Sequence, residues 1–174
     1  DTLNGYNRSF ERFGVDSRLK LQHQLFGIAN ETEFGVRLMN ESMDDITIAA
    51  TRATPRTGTI GKDQVESADS LALYAQNRFV VSDRFAVTAG LRAESYEQTT
   101  KNKRAATNNQ ADTSNTEVLP GLGATYQINS GLQGFASVYK AFSPALNGDA
   151  LNGLQDQKLD AERSVNIEAG LRGA

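Results

Sequence analysis

The chain has 174 residues, a net charge of −3 at neutral pH and 39% apolar residues, enough for one domain with a sizeable core. It has no cysteine, which excludes disulfides, thiol catalysis and zinc–thiolate sites, and its single histidine, His23, argues against a histidine-based metal site or a Ser-His-Asp triad. The mild charge, with no basic stripe, gives no nucleic-acid partner, and no apolar run approaches the roughly 18 residues of a membrane-spanning helix.

Along the chain the dominant period is two, the signature of strands with two unlike faces. In the first predicted strand, residues 11–25, Phe13, Val15, Leu19, Leu21 and Leu25 alternate with Asp16, Arg18, Lys20, Gln22 and Gln24. A second strand, 31–43, sets Phe34, Val36 and Leu38 against Glu33, Gly35 and Arg37. The third, 67–80, carries Leu71, Leu73, Ala75 and Phe79, and the fourth, 85–98, carries Phe85, Val87, Ala89, Leu91 and Ala93. The fifth, 117–128, opposes Val118, Leu122, Ala124, Tyr126 and Ile128 to Gly121, Gly123, Thr125 and Gln127. A sixth, 132–142, has partly apolar residues on both faces, and the seventh, 161–172, alternates Val165, Ile167, Ala169 and Leu171 with Asn166, Glu168, Gly170 and Arg172.

The connections alternate between short and long. Segments 26–30, 81–84 and 129–131 hold the Gly, Asn, Ser and Asp of tight hairpins. Segments 44–66, 99–116 and 143–160 are polar and read as loops of 23, 18 and 18 residues. In an up-and-down meander all short turns then share one rim and all long loops the other. Soluble domains rarely carry three such loops, whereas outer-membrane barrels have short periplasmic turns and long external loops.

Alternation alone does not decide which face is wet, and a soluble ligand-binding barrel with its apolar face inward has the same period. Three features favour an outward apolar face. The predicted strands run 11 to 15 residues, the length of a tilted bilayer crossing rather than of an ordinary strand. Their apolar faces are mostly Leu, Val, Ala and Phe with little variation in size. Their polar faces mix charges, such as Asp16 with Arg18 and Lys20, or Arg92 with Glu94, as a wet or plugged lumen does. The expectation is an all-β, antiparallel, up-and-down transmembrane β-barrel segment of about seven strands. Seven is an odd number, open sheet edges are not tolerated in lipid, and the chain starts at Asp1 rather than at a methionine. Residues 1–174 therefore read as a mature or excised part of one larger barrel domain.

Specific phrases then resemble a known family. The stretch LALYAQNRFVVSDRFAVTAGLRAESYE (71–97), LPGLGATYQI (119–128), YKAFSPA (139–145) and LDAERSVNIEAGLRG (159–173) together resemble, in order, passages of TonB-dependent outer-membrane receptors. Ala145 and Ala161 stand where prolines are usual in that family. The resemblance, nearest in tone to siderophore and ferric-citrate receptors, implies a barrel of about 22 strands closed by a plug. It implies a bacterial outer-membrane location and import of an iron chelate, a ferric siderophore or ferric citrate, as transported ligand. The energy comes from the TonB complex engaging the plug side. No resident cofactor and no enzymatic activity are implied, and the plug and TonB box are not among these residues. A passive porin or adhesin-type barrel is the alternative, with the soluble barrel behind it.

Candidate contacts follow from charge and position. Arg52 and Arg56, with Lys62, lie in the expected 44–66 loop, and guanidinium forks suit the carboxylates of an anionic chelate. Asn147, among turn residues of the 143–160 segment, is a further candidate ligand contact. Lys101, Lys103 and Arg104 form a second basic cluster, expected to face lipopolysaccharide phosphates or water. The spacing of Asp149, Asp156 and Asp160 matches no calcium loop, and no hydroxyl has a base beside it. Phe79, Tyr96, Tyr126, Tyr139 and Phe142 fall near strand ends, where interfacial aromatic girdles sit. Gly90, Gly121, Gly123 and Gly170 on the polar face leave room for a plug backbone. His23 lies near the short-turn end of the apolar face and receives no role.

Overall fold

The computed structural model describes residues 2–107, 109–144 and 161–173. They form one seven-stranded antiparallel sheet in the order β1-β2-β3-β4-β5-β6-β7, each strand pairing with its neighbours in sequence. The strands are β1 (Thr2–Leu25), β2 (Ile28–Thr51), β3 (Thr54–Val80), β4 (Phe85–Asn102), β5 (Gln110–Asn129), β6 (Leu132–Ser143) and β7 (Glu162–Gly173). Number, order and alternation match the sequence reading.

The register fixes the two faces. One continuous rung joins His23, Asn30, Phe79, Val87, Ala124, Ala136 and Ala169 across all seven strands. Every second residue from this rung lies on the same face, apart from Phe142 and Arg163 at the far ends of β6 and β7, which contact inner-face Tyr96 and Glu117. That face holds Val15, Leu19, Leu38, Leu71, Leu73, Leu91, Leu122, Ile167 and Leu171, all exposed large apolar side chains. The opposite face holds Asp45, Glu66, Ala72, Ala86, Tyr96, Gln98, Thr100 and Glu117, all buried. The sheet thus curls with its polar face inside and its greasy face outside, the inverse of a soluble barrel.

The outer apolar band is diagonal to the rungs. On the rung of Phe13 the partners on β2 to β5 are Asn40, Asp69, Glu97 and Ser114, all polar. On the rung of His23 and Asn30 the order reverses, polar on β1 and β2 and apolar from Phe79 to Ala169. A band of constant height that crosses rungs diagonally means strands tilted to the membrane plane, as barrel closure requires.

Two expected loops are corrected. Segment 44–66 is the continuation of β2 and β3, joined by a two-residue turn at Arg52 and Ala53. Segment 99–116 shrinks to a connection between Asn102 and Gln110. Ile46, Thr47, Ile48, Thr57, Thr59 and Ile60 are β-branched and favour the pleated ladder. Above the band both faces mix polar and apolar residues, so no apolar stripe marks these residues as strand. Register shifts at Thr47/Ile48 and Ala49/Thr51 bend the hairpin near its tip. Most of the expected 143–160 loop lies outside the described residues.

The opposite end is tight. Phe26 and Gly27 form a two-residue turn with φ of 53° and 75°, the primed geometry that matches strand twist. Phe26, 94% exposed, is a bulky residue in the left-handed region. Ser130 and Gly131 join β5 to β6, with the Gly131 amide donating to the Asn129 side chain at 2.9 Å.

Two luminal glycines, Gly35 and Gly170, make room for a ring of the neighbouring strand, which for Gly170 differs from the expected use. The Tyr74 ring on β3 lies over Gly35 on β2, so closely that a methyl on Gly35 would overlap it. The Phe135 ring on β6 covers Gly170 on β7, where a methyl carbon would lie 2.7 Å from Cζ. The room at these glycines is filled by aromatic rings of the neighbouring strand.

Candidate functional site

The inner face is a lattice of charges set by strand parity. Near the short turns, Lys20 pairs with Glu33 at 3.1 Å and Arg78 with Glu31 at 3.5 Å. At mid-height Arg18 contacts Asp16, and the Arg92 fork grips Glu94 at 2.6 and 2.9 Å. Glu117 on β5 lies directly across from Glu94. Arg163, reaching over β6 from β7, offsets that like-charge pair with three contacts of 2.7 to 3.1 Å to Glu117. Phe142 stacks on Tyr96 at 5.7 Å beside this pair.

Above the apolar band the lattice continues. Arg12 pairs with Glu41, and Asp45 receives Lys62 at 2.7 Å and Arg8 at 3.3 Å. Lys62 also reaches Glu66 at 3.6 Å. The Lys62 hydrogen bond, with Arg8 adding to it, holds the Asp45 carboxyl below its ordinary range against the opposing effect of burial. The cations are the exposed members of these pairs. Arg8 and Arg12 side chains are 61% and 57% exposed, while Asp45 is 4%. Buried Asp45 and half-buried Glu41 therefore hold guanidinium groups that stay largely exposed.

The sequence candidates fall in different places. Arg52 sits exposed in the two-residue turn at the far tip of the β2–β3 hairpin. Arg56 lies within β3, a few residues away, rather than in a loop; its side chain is outside what the structure describes. Asn147, and with it Asp149, Asp156 and Asp160, lies outside the described residues. Lys62 belongs to the luminal lattice. Two members of the Lys101–Arg104 cluster bond the protein itself. Lys103 bonds Asp44 at 2.8 Å, which raises its pKa, and Arg104 donates to the Gly61 carbonyl at 2.6 Å. These two tie the β4–β5 connection to the tall hairpin, and Lys101, Lys103 and Arg104 all remain exposed.

Three of the expected girdle aromatics, Tyr96, Phe142 and Tyr139, are also relocated. Phe79 and Tyr126 are on the outer face near its lower edge, but Tyr96 is buried in the stack on Phe142 and Tyr139 donates to Glu168 at 2.8 Å on the luminal side. The sequence reading missed Arg8, Arg12 and Arg163. Arg8 precedes the expected first strand, and Arg163 shares the parity of apolar Val165, so neither carried a luminal signal.

Comparison with known families now decides what this wall belongs to. The family described as TonB dependent receptor-like, beta-barrel matches residues 1–174, the entire chain. The chain belongs to the TonB-dependent receptor β-barrel family. That is a family of receptors, not an enzyme class. Among solved structures, the unliganded ferric citrate transporter FecA superposes with a TM-score of 0.86 at 20% identity, covering 99% of this chain and 26% of that one. The alcaligin outer-membrane receptor FauA of Bordetella pertussis gives 0.74 at 18% identity, covering 99% and 27%. The ferripyoverdine receptor of Pseudomonas aeruginosa, bound to ferripyoverdine, gives 0.73 at 19% identity, covering 98% and 24%. At these identities the likeness is one of fold. The chain spans about a quarter of the length of the receptors it matches. Comparison with curated protein sequences finds no match.

Proposed function

We propose that this TonB-dependent receptor segment is part of the wall of a bacterial outer-membrane transporter. In this reading the transporter imports an anionic iron chelate, a ferric siderophore or ferric citrate, with energy coupled from the TonB complex through a plug elsewhere in the receptor. The observation that carries the reading is the pairing of faces: an outward apolar band on tilted strands, and a luminal lattice of wet cations continuing above it on β1 to β3. Exposed guanidinium groups at that height suit the carboxylates of a chelate arriving from outside. Arg52 and Arg56 at the hairpin tip are the proposed first contacts, with Asn147 as a further one. Lipid and lipopolysaccharide are the surrounding partners.

The test uses the full receptor in an iron-starved host supplied with ferric citrate or a ferric siderophore as sole iron source. Growth that requires both the receptor and TonB is expected. Growth that needs the receptor but persists without TonB would instead show a passive channel. Replacing Arg52 and Arg56 by Ala together should weaken binding of the anionic chelate; unchanged affinity removes them from the site.

A further inference from the structure

Four polar side chains interrupt the lower edge of the apolar face on β1 to β3. His23 and Asn30 share one rung, and Thr32 and Asn77 share the next. They are linked in series: His23 Nε2 to Thr32 Oγ1 at 2.7 Å, Thr32 Oγ1 to Asn77 Oδ1 at 2.6 Å, Asn77 Nδ2 to Asn30 Oδ1 at 2.6 Å, and Asn30 Nδ2 to the Ile28 carbonyl at 2.7 Å. Asn30 is 2% exposed and His23 is exposed, so the chain runs from a buried anchor to the surface.

The direction of every bond follows from its last member. A backbone carbonyl only accepts, so the Asn30 atom facing Ile28 is the amide nitrogen. The Asn30 oxygen therefore faces Asn77 and takes a proton from its nitrogen. The Asn77 oxygen must then accept from Thr32. The Thr32 hydroxyl has one proton and gives it to Asn77, so it can only accept from the histidine. His23 must carry its proton on Nε2, which leaves Nδ1 of the neutral ring as a lone pair. A series of aligned donors strengthens the acceptor at its open end. In the neutral ring the series therefore asks for a donor at Nδ1.

The surroundings narrow the donor. The register gives Leu21, Leu25, Ile28, Phe79, Val87 and Ala89 as the other residues of this face nearby, with no charged group among them. Glu31 and Arg78 lie on the opposite face. The site also lies where the diagonal band ends on β1 and β2, the depth of headgroups rather than of acyl chains. Resting on the outer-membrane reading above, we propose that His23 Nδ1 seats the ammonium of an aminophospholipid, such as phosphatidylethanolamine, in the periplasmic leaflet. The apolar residues around it take the lipid's upper chain carbons.

The probe is the full receptor in nanodiscs of equal phosphatidylethanolamine and phosphatidylcholine, with retained lipid counted by native mass spectrometry. The two lipids share the phosphate, but only the first has N–H donors. Retention of phosphatidylethanolamine about three- to tenfold above phosphatidylcholine is expected, as one hydrogen bond of ordinary net strength allows. His23→Ala should abolish the preference, and Thr32→Val, which cuts the series at its second link, should reduce it. Equal retention of the two lipids, or a preference unchanged in His23→Ala, overturns the proposal. Failure of the wild-type receptor to enter bilayers would instead overturn the outer-membrane reading, a distinct result.

Discussion

Ala72 and Leu73 are adjacent on β3, yet Ala72 is 1% exposed and Leu73 is 54% exposed. The contrast holds from β2 to β5: charged and small residues crowd the concave face while leucines stand bare on the convex one. A face that leaves its leucines open is at equilibrium only against another apolar phase. A face that buries carboxylates is stable only if each is paired. The two faces therefore obey opposite substitution rules, and variants can set one against the other.

The largest effect is expected on the outer face. Leu91→Arg places a cation at the height of the acyl chains and should destabilise the receptor by about 2–4 kcal/mol in bilayers. The luminal neighbour Arg92 already carries a charge at the same height without penalty, which is the comparison in its simplest form. Reversible unfolding in lipid reads the difference.

Next in size is Gly35→Ala. The added methyl must displace the Tyr74 ring, an overpacking of about 1–3 kcal/mol. The double variant with Tyr74→Ala should cost less than the sum of the two single changes, because the clash disappears with the ring. Strict additivity would mean that the ring does not rest on Gly35. Glu117→Ala removes the buried member of the Arg163 pair. Since Arg163 is 56% exposed and can return to water, the loss should be about 1–2 kcal/mol in the same assay.

The smallest effect is one of pH. Folding lowers the Asp45 pKa, so its contribution is present above the ordinary carboxylate range. It is lost as pH falls through the folded value, which lies below the ordinary carboxylate range. Hydrogen exchange in the upper β1–β3 wall should therefore rise in acid, and Asp45→Asn should flatten that rise.

Strand number, order and face assignment were legible because the bilayer imposes a two-residue period wherever a strand crosses it. Leu122, Ala124 and Tyr126 fell outward as the alternation required. Strand length was not legible, because above the band Asp44 to Thr51 and Thr54 to Glu66 mix polar and apolar residues on both faces and lose the stripe. The same loss placed Arg56 in a loop when it belongs to β3. The polar series on β1 to β3 did leave a sequence signal. His23, Asn30, Thr32 and Asn77 all occupy apolar-parity positions, but their joining into one series depends on register between strands 9 to 47 residues apart.

The central claim, that the apolar face meets lipid and the polar face the lumen, is tested most directly by spin labels on the full receptor in bilayers. Single cysteines at Leu73, Leu91 and Leu122 report the outer face, and at Tyr74, Arg92 and Gly123 the inner one. Oxygen dissolved in the acyl chains should relax the first three labels strongly and the second three weakly, alternating residue by residue. Equal relaxation of adjacent sites, or the reversed pattern, would contradict the account.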